Sequence, residues 1–187
     1  MKKVAVIVGS LQKNSFNKHT AKAAIELAPA SLSLEIVEIG QLQMYNQDLD
    51  ATPPAEWTLF REKIKSADAV LFFTPEYNRS FTAVLKNALD VASRPWGASV
   101  WGGKPGAIVS VSPGGLGGFG ANNHLRQVLA YLDIHTMAQP EAYIGLASTL
   151  FDADGKLSDE STRKFLTNYM AAFAAWIEKI SLTFFGF

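Results

Sequence analysis

Three short stretches of this chain carry residue types suited to holding a flat, phosphorylated ligand. The first is Gly9-Ser10-Leu11-Gln12-Lys13-Asn14-Ser15-Phe16-Asn17. It follows an apolar run and enters a helical pattern. A phosphate placed there meets free backbone N–H groups and the positive end of a helix dipole. Ser10, Ser15 and Asn17 add short polar side chains that can donate to phosphate oxygens. No Gly-Lys-Ser/Thr follows, so the Walker pattern is absent and nucleoside triphosphate hydrolysis is not expected. The plainer reading of this stretch is a helix start with Ser15 as N-cap.

The second stretch is Pro75-Glu76-Tyr77-Asn78-Arg79-Ser80, again between an apolar run and a helical pattern. Pro75 fixes the chain's exit from the run, and Asn78 tolerates unusual turn dihedrals. Backbone groups of Glu76, Tyr77 and Asn78 can face the polar edge of a ring, and Tyr77 supplies an aromatic wall. An ordinary strand-to-helix turn with a packed tyrosine is the other reading. The third stretch, Ser112-Pro113-Gly114-Gly115-Leu116-Gly117-Gly118-Phe119-Gly120, contains a G-x-G-x-x-G match at Gly115, Gly117 and Gly120. A dinucleotide-binding fingerprint belongs after the first strand, and this one follows the fourth; Glu141 has roughly the spacing of a ribose-binding acid but no clear strand end. Glycines that let the backbone approach a flat ring closely are the better reading.

These stretches need a scaffold, and the rest of the chain describes one. Residues 4–8, 34–39, 69–74 and 107–111 are apolar runs, with a weaker fifth near 135–139. Continuous apolarity suits parallel strands covered on both faces. Helical spacing lies between them: Phe16, Thr20, Ala23, Ala24 and Leu27 share a face, as do Leu125, Val128, Leu129 and Leu132. The last helix carries Leu166, Tyr169, Met170, Phe173, Ile177 and Ile180 on one stripe. A helix is expected from about Glu56, after the loop Thr52-Pro53-Pro54-Ala55. The expectation is one α/β domain over residues 1–187: a right-handed, doubly wound, five-stranded parallel sheet in the flavodoxin-like order 2-1-3-4-5, helices on both faces. Loops 1, 2 and 3 then meet at the carboxyl edge, where open α/β sheets bind ligands.

Composition narrows the function classes. The 187 residues carry 17 Lys+Arg and 17 Asp+Glu, a formal net charge of zero. No basic surplus points to nucleic acid or an anionic membrane. Cysteine is absent, which rules out disulfides and thiol catalysis. No stretch is long enough to span a bilayer, and residues 4–8 are too short for a signal peptide. A soluble, cytoplasmic protein is expected. His19, His124 and His135 show no metal-ligand spacing, and no carboxylate pair suits glycoside hydrolysis. No metal site and no obligatory acid–base side chain are assigned.

The first two loops in combination, with Leu85-Lys86-Asn87-Ala88-Leu89-Asp90 and Ser93-Arg94-Pro95, resemble the NADPH-dependent FMN reductases, the flavodoxin-like group that includes quinone, chromate and azo reductases. The resemblance covers about residues 3–135. The family's phosphate signature reads Gly-Ser-Leu-Arg-x-x-Ser-x-Asn; Gln12 stands at its arginine and lacks the guanidinium fork, with Lys13 next to it. Thr82-Ala83 replace the usual Pro-Gly, and Thr82 suits an N-cap. The resemblance implies FMN held by Ser10, Gln12, Ser15, Phe16, Asn17, Pro75, Glu76, Tyr77, Asn78, Ser80, Ser112, Gly114 and Gly115. It also implies NADPH or NADH as co-substrate and ping-pong transfer to a small-molecule acceptor: a quinone, an azo compound, chromate or free flavin. It implies a homodimer or homotetramer with the flavin near the subunit interface.

Two other functions remain open at this point, an electron-carrying flavodoxin and a redox-sensing flavin module, neither of which would turn over NAD(P)H. Trp96 and Trp101 flank a Gly-rich turn and are candidates for an active-site wall or a subunit contact. Lys86, Asn87 and Asp90 are expected on a solvated or subunit-facing helix surface. The apolar tail, Leu182-Thr183-Phe184-Phe185-Gly186-Phe187, is expected to fold back on its own domain or to cover a partner subunit, ahead of any membrane contact.

Overall fold

A computed structural model describes the backbone of residues 1–185 and the side chains of residues 1–182. Strands β1 (Lys2–Val8), β3 (Ala69–Thr74) and β4 (Pro105–Val111) are the long apolar runs of the sequence. With β2 (Leu32–Ile36) and β5 (His135–Thr136) they form a parallel sheet in the order β2-β1-β3-β4-β5, the expected flavodoxin-like arrangement. Alternate residues of each strand feed opposite cores. Val4, Val6, Val8, Leu71, Phe73 and Val109 pack beneath α1 (Phe16–Glu26) and α5 (Glu160–Phe185). Ala5, Ile7, Val70, Phe72 and Ile108 pack beneath α2 (Ala55–Ser66), α3 (Ala83–Ser93) and α4 (Phe119–Tyr131). Two covered faces explain the unbroken apolarity of the runs.

The expected fifth strand is two strands laid end to end along β4. β5 (His135–Thr136) pairs with Pro105 and Gly106, and β6 (Ala142–Ile144) pairs with Val109, Ser110 and Val111. The break has a chemical cause. Pro140 has no N–H to give a ladder, and side chains take carbonyls around the gap. Arg126 Nη1 donates to Met137 O at 3.0 Å, and Asn122 Nδ2 donates to Ala142 O at 3.3 Å.

Several sequence expectations change in detail. Helix α2 begins at Ala55, one residue before Glu56. On α1, Thr20, Ala23 and Ala24 are buried, whereas Phe16 is half-buried and Leu27 is the C-cap. Asn87 is not on a solvated surface. It is buried, with Nδ2 donating to Leu42 O and Gln43 O and Oδ1 accepting from Tyr45 N–H, so it pins the 42–45 segment to α3. Trp101 is a core residue, fully buried against Phe60 and Phe72 with its indole N–H on Leu89 O at 2.9 Å. Trp96 is 80% exposed. On α5, Leu166, Tyr169, Met170, Phe173 and Ile177 line the expected stripe. The Tyr169 hydroxyl donates to Ile108 O at 2.9 Å, and burial pushes its pKa up. Side chains of the tail beyond Leu182 lie outside the described residues.

Candidate functional site

Loops β1–α1 (residues 9–15), β3–α3 (75–82) and β4–α4 (112–118) leave the carboxyl ends of three adjacent strands. They are bonded into one assembly. Gly9 N–H donates to Phe73 O at 2.8 Å, and the Thr82 hydroxyl donates to Gly9 O at 2.7 Å. Thr82 occupies the N-cap position of α3, yet its side chain makes no cap bond; it ties the second loop to the first. A Cβ on Gly9 would sit 3.1 Å from that hydroxyl, so a side chain there would push the loops apart. Asn17 joins the first loop to the third: Nδ2 donates to Val111 O at 3.3 Å.

In the first loop, Ser15 is the N-cap of α1 and is buried, its Oγ accepting from Lys18 N–H at 3.3 Å. That satisfies one of the first-turn N–H groups that helix geometry leaves unpaired. The N–H groups of Phe16 and Asn17 start the same turn. Leu11, Gln12, Lys13 and Asn14 are exposed, and Ser10 is half-buried. Phe16 is half-buried and stacks on Phe151, with ring centroids 6.1 Å apart. Asn17 is 4% exposed, and its Oδ1 has no hydrogen-bond partner. A buried acceptor without a donor is costly and marks a place for a ligand or water to donate.

The second loop is rigid by its own bonds. Asn78 and Arg79 both take positive φ, 51° and 65°, and Tyr77 and Ser80 exchange N–H···O bonds of 2.8 and 2.9 Å. The backbone N–H and C=O of Tyr77 therefore close the turn with Ser80. The aromatic ring of Tyr77 is exposed. Glu76 is turned onto α4: its carboxylate accepts from Ala121 N–H at 3.1 Å and pairs with Arg79 at 3.1 Å. A carboxylate there suits the helix dipole. The Ser80 hydroxyl bonds His124 Nδ1 at 2.8 Å. His124 was missed in the sequence because its one signal, a position one turn into α4, needs the α4–loop packing to become meaningful.

The glycines of the third loop serve several purposes. Gly117 has φ 60°, and a Cβ on it would meet the Tyr143 carbonyl carbon at 2.5 Å. A Cβ on Gly120 would sit 3.0 Å from Glu76 Oε2. These two approach their own chain, not a ligand. Gly115 has open space at its Cβ position, and Gly114 N–H is held by Ser112 Oγ at 3.1 Å. The loop is laced to the chain after β6: Ala147 N–H donates to Ser112 O at 3.2 Å, and Ser112 N–H to Ile144 O at 3.0 Å. Tyr143 lies under the loop; burial and the bond to Glu141 hold its phenol above the usual pKa.

A cavity of about 950 Å³ lies elsewhere, in a groove between α3 and α4 lined by Lys86, Asp90, Arg94, Trp96, His124 and Tyr131. His124 links it to the second loop through Ser80, and Lys86 through its N–H on Thr82 O at 3.0 Å.

Residues 2–149 match the model of the NADPH-dependent FMN reductase family. The chain belongs to this family. It is 58% identical over 176 residues to a quinone reductase of Pseudomonas putida, covering 94% of each chain, and 53% identical to a 2-hydroxy-1,4-benzoquinone reductase of Burkholderia, covering 94% and 96%. Among solved structures it resembles the flavoenzyme NAD(P)H:(acceptor) oxidoreductase FerB of Paracoccus denitrificans, with a TM-score of 0.90 at 43% identity over 96% and 98% of the two chains. The protein is thus an FMN-dependent oxidoreductase using NAD(P)H, and the dinucleotide-fold and pure-carrier readings fall away. The residues present fit the cofactor: a helix N-terminus capped by Ser15, the buried amide oxygen of Asn17 without a hydrogen-bond partner, and open space at the Cβ position of Gly115.

Proposed function

We propose that this protein is an NAD(P)H:quinone reductase whose FMN is held by the three carboxyl-edge loops. The overall reaction is NAD(P)H + H⁺ + quinone → NAD(P)⁺ + hydroquinone. FMN supplies the two-electron chemistry when bound. The observation that carries the site is the bonding of three ligand-type loops into one unit by Thr82, Asn17 and Glu76. The quinone as acceptor is supported by the reductases of Pseudomonas putida and Burkholderia.

Each part of the assembly has a task. The α1 N-terminus, with Ser10 and Gln12, receives the phosphate, and Asn17 Oδ1 accepts a hydroxyl from the polyol chain. The exposed Tyr77 ring and the Ser112-Pro113-Gly114-Gly115 backbone bracket the flat ring. Pro75 and Asn78 shape the second loop, while Ser15, Glu76 and Ser80 position it and its neighbours. Phe16 anchors α1 against Phe151. No side chain of this assembly is required as an acid or base.

A homodimer joined through the α3–α4 groove completes the proposal. The groove carries Arg94 and Asp133 beside an internal Lys86–Asp90 ion pair at 2.7 Å, so a two-fold contact would bring Arg94 of one copy against Asp133 of the other. Azo compounds, chromate and free flavin are alternative acceptors within the same mechanism. A cytoplasmic setting agrees with the absence, among the described residues, of a helix long and apolar enough to cross a membrane.

The test is spectroscopic. Protein mixed with FMN and desalted should keep its yellow absorbance, lose it within seconds of anaerobic NADPH addition, and regain it with a quinone. Retained flavin that NADPH leaves yellow would contradict the reductase reading.

A further inference from the structure

Leu146 has φ 51° and ψ 34°, a left-handed backbone, and its side chain is 58% exposed. The left-handed region disfavours L-residues other than glycine and asparagine. The conformation is held from three sides: Leu146 N–H donates to Gly114 O at 3.4 Å, and Leu146 O accepts from Thr149 N–H at 3.0 Å and Thr149 Oγ1 at 2.9 Å. Strain of this kind, over-determined by its surroundings, gathers at ligand sites. Here it holds an apolar side chain in water beside the third loop. Gly145 packs so closely on that loop that a Cβ would lie 2.7 Å from Gly115 O. On the other side of Gly115 come Leu116, 67% exposed, and Phe119, 53% exposed, whose ring stands 5.2 Å from Tyr143. Apart from His124, no ionisable residue occurs in 112–125, and only Tyr143 in 142–151. The two segments that flank Gly114 and Gly115 thus contribute exposed apolar side chains and no cation of their own.

We infer that Leu116, Phe119 and Leu146 form an acceptor subsite, a shelf beside Gly114 and Gly115 that holds the alkyl or aryl substituent of a quinone. The inference rests on the proposed reductase function and adds the acceptor class: neutral quinones with an apolar substituent, in preference to small oxyanions such as chromate. An alkyl chain on an open shelf is half desolvated, so each methylene raises kcat/KM about twofold, half the logarithmic gain of full burial. A dianion gains no cation from these two segments to replace its water.

The experiment measures kcat/KM for quinones of increasing alkyl length, with ferricyanide as a hydrophilic acceptor, in the wild type, Leu146→Gly and Leu116→Ser. Leu146→Gly suits the positive φ, so it removes the side chain without breaking the loop. The expected result is a rise with chain length in the wild type. That rise flattens in both variants, with alkylquinone kcat/KM lower by roughly three- to tenfold, and ferricyanide turnover and retained FMN unchanged. A wild type with bleachable flavin but no chain-length dependence overturns the shelf alone. So does an equal loss for ferricyanide, or a change in oligomeric state in the variants, which would give this face to a second copy of the chain. A wild type that retains no flavin overturns the function reading and the shelf together.

Discussion

The loops at residues 9–15 and 75–82 leave neighbouring strands at the same sheet edge, yet they are built in opposite ways. The second is braced by its own chain: a two-residue turn closed by reciprocal Tyr77–Ser80 bonds, a Glu76 carboxylate on α4, and a Ser80–His124 bond. The first is anchored at its ends, at Gly9, Ser15 and Asn17, while Leu11 to Asn14 stand in solvent. The second loop is held by bonds within the protein, whereas the first leaves four residues in solvent and the buried Asn17 Oδ1 without a hydrogen-bond partner. Substitutions in the braced regions should therefore change stability, and those in the open loop should change affinity alone.

The largest effect tests the bracing beneath the third loop. Gly117→Ala puts a side chain on a left-handed residue and a methyl group into the Tyr143 backbone, which should cost about 3 kcal/mol or more. Thermal unfolding would show it as a large fall in Tm, and a normal Tm would mean the loop is looser than described. Glu76→Ala removes a charged acceptor from Ala121 N–H and should cost about 2 kcal/mol in urea titration. The exposed Arg79 partner contributes little to that figure. FMN affinity should fall with it, because the turn loses its hold on α4. Thr82→Val, nearly isosteric, removes the hydroxyl that joins the two loops and should cost about 1 kcal/mol. It bears on the comparison, since this bond ties the second loop directly to the first.

The smallest stability change should come with a gain. Gln12→Arg adds a guanidinium fork to the open loop. Stability should stay within about 0.5 kcal/mol, while FMN binds roughly three- to tenfold tighter, an advantage that shrinks as salt rises. An unchanged FMN Kd at low salt would move the phosphate away from this loop.

Much of this was legible in the sequence where the signal is local. β1, β3 and β4 announce themselves because both their faces are buried, and Ser15 because a cap needs only its own helix. What was hidden depends on long-range partners. β6 is three residues long and is defined by β4 and the amide of Asn122 rather than by its own pattern. Asn87 has the spacing of a surface residue until the 42–45 segment folds over it. Gly117 and Gly120 look like ligand glycines, but the atoms they approach belong to Tyr143 and Glu76, distant in the chain. Thr82 was placed correctly as an N-cap residue, and only the fold shows its hydroxyl spent on Gly9 instead.

The most direct test of the central claim is a titration of FMN into ¹⁵N-labelled protein, following backbone amide shifts. The three-loop site predicts the largest changes at Ser10, Gln12, Phe16, Asn17, Tyr77, Gly114 and Gly115. Changes concentrated at Lys86, Arg94, Trp96 and Tyr131, with those loop amides unmoved, would place the cofactor in the α3–α4 groove and contradict the account.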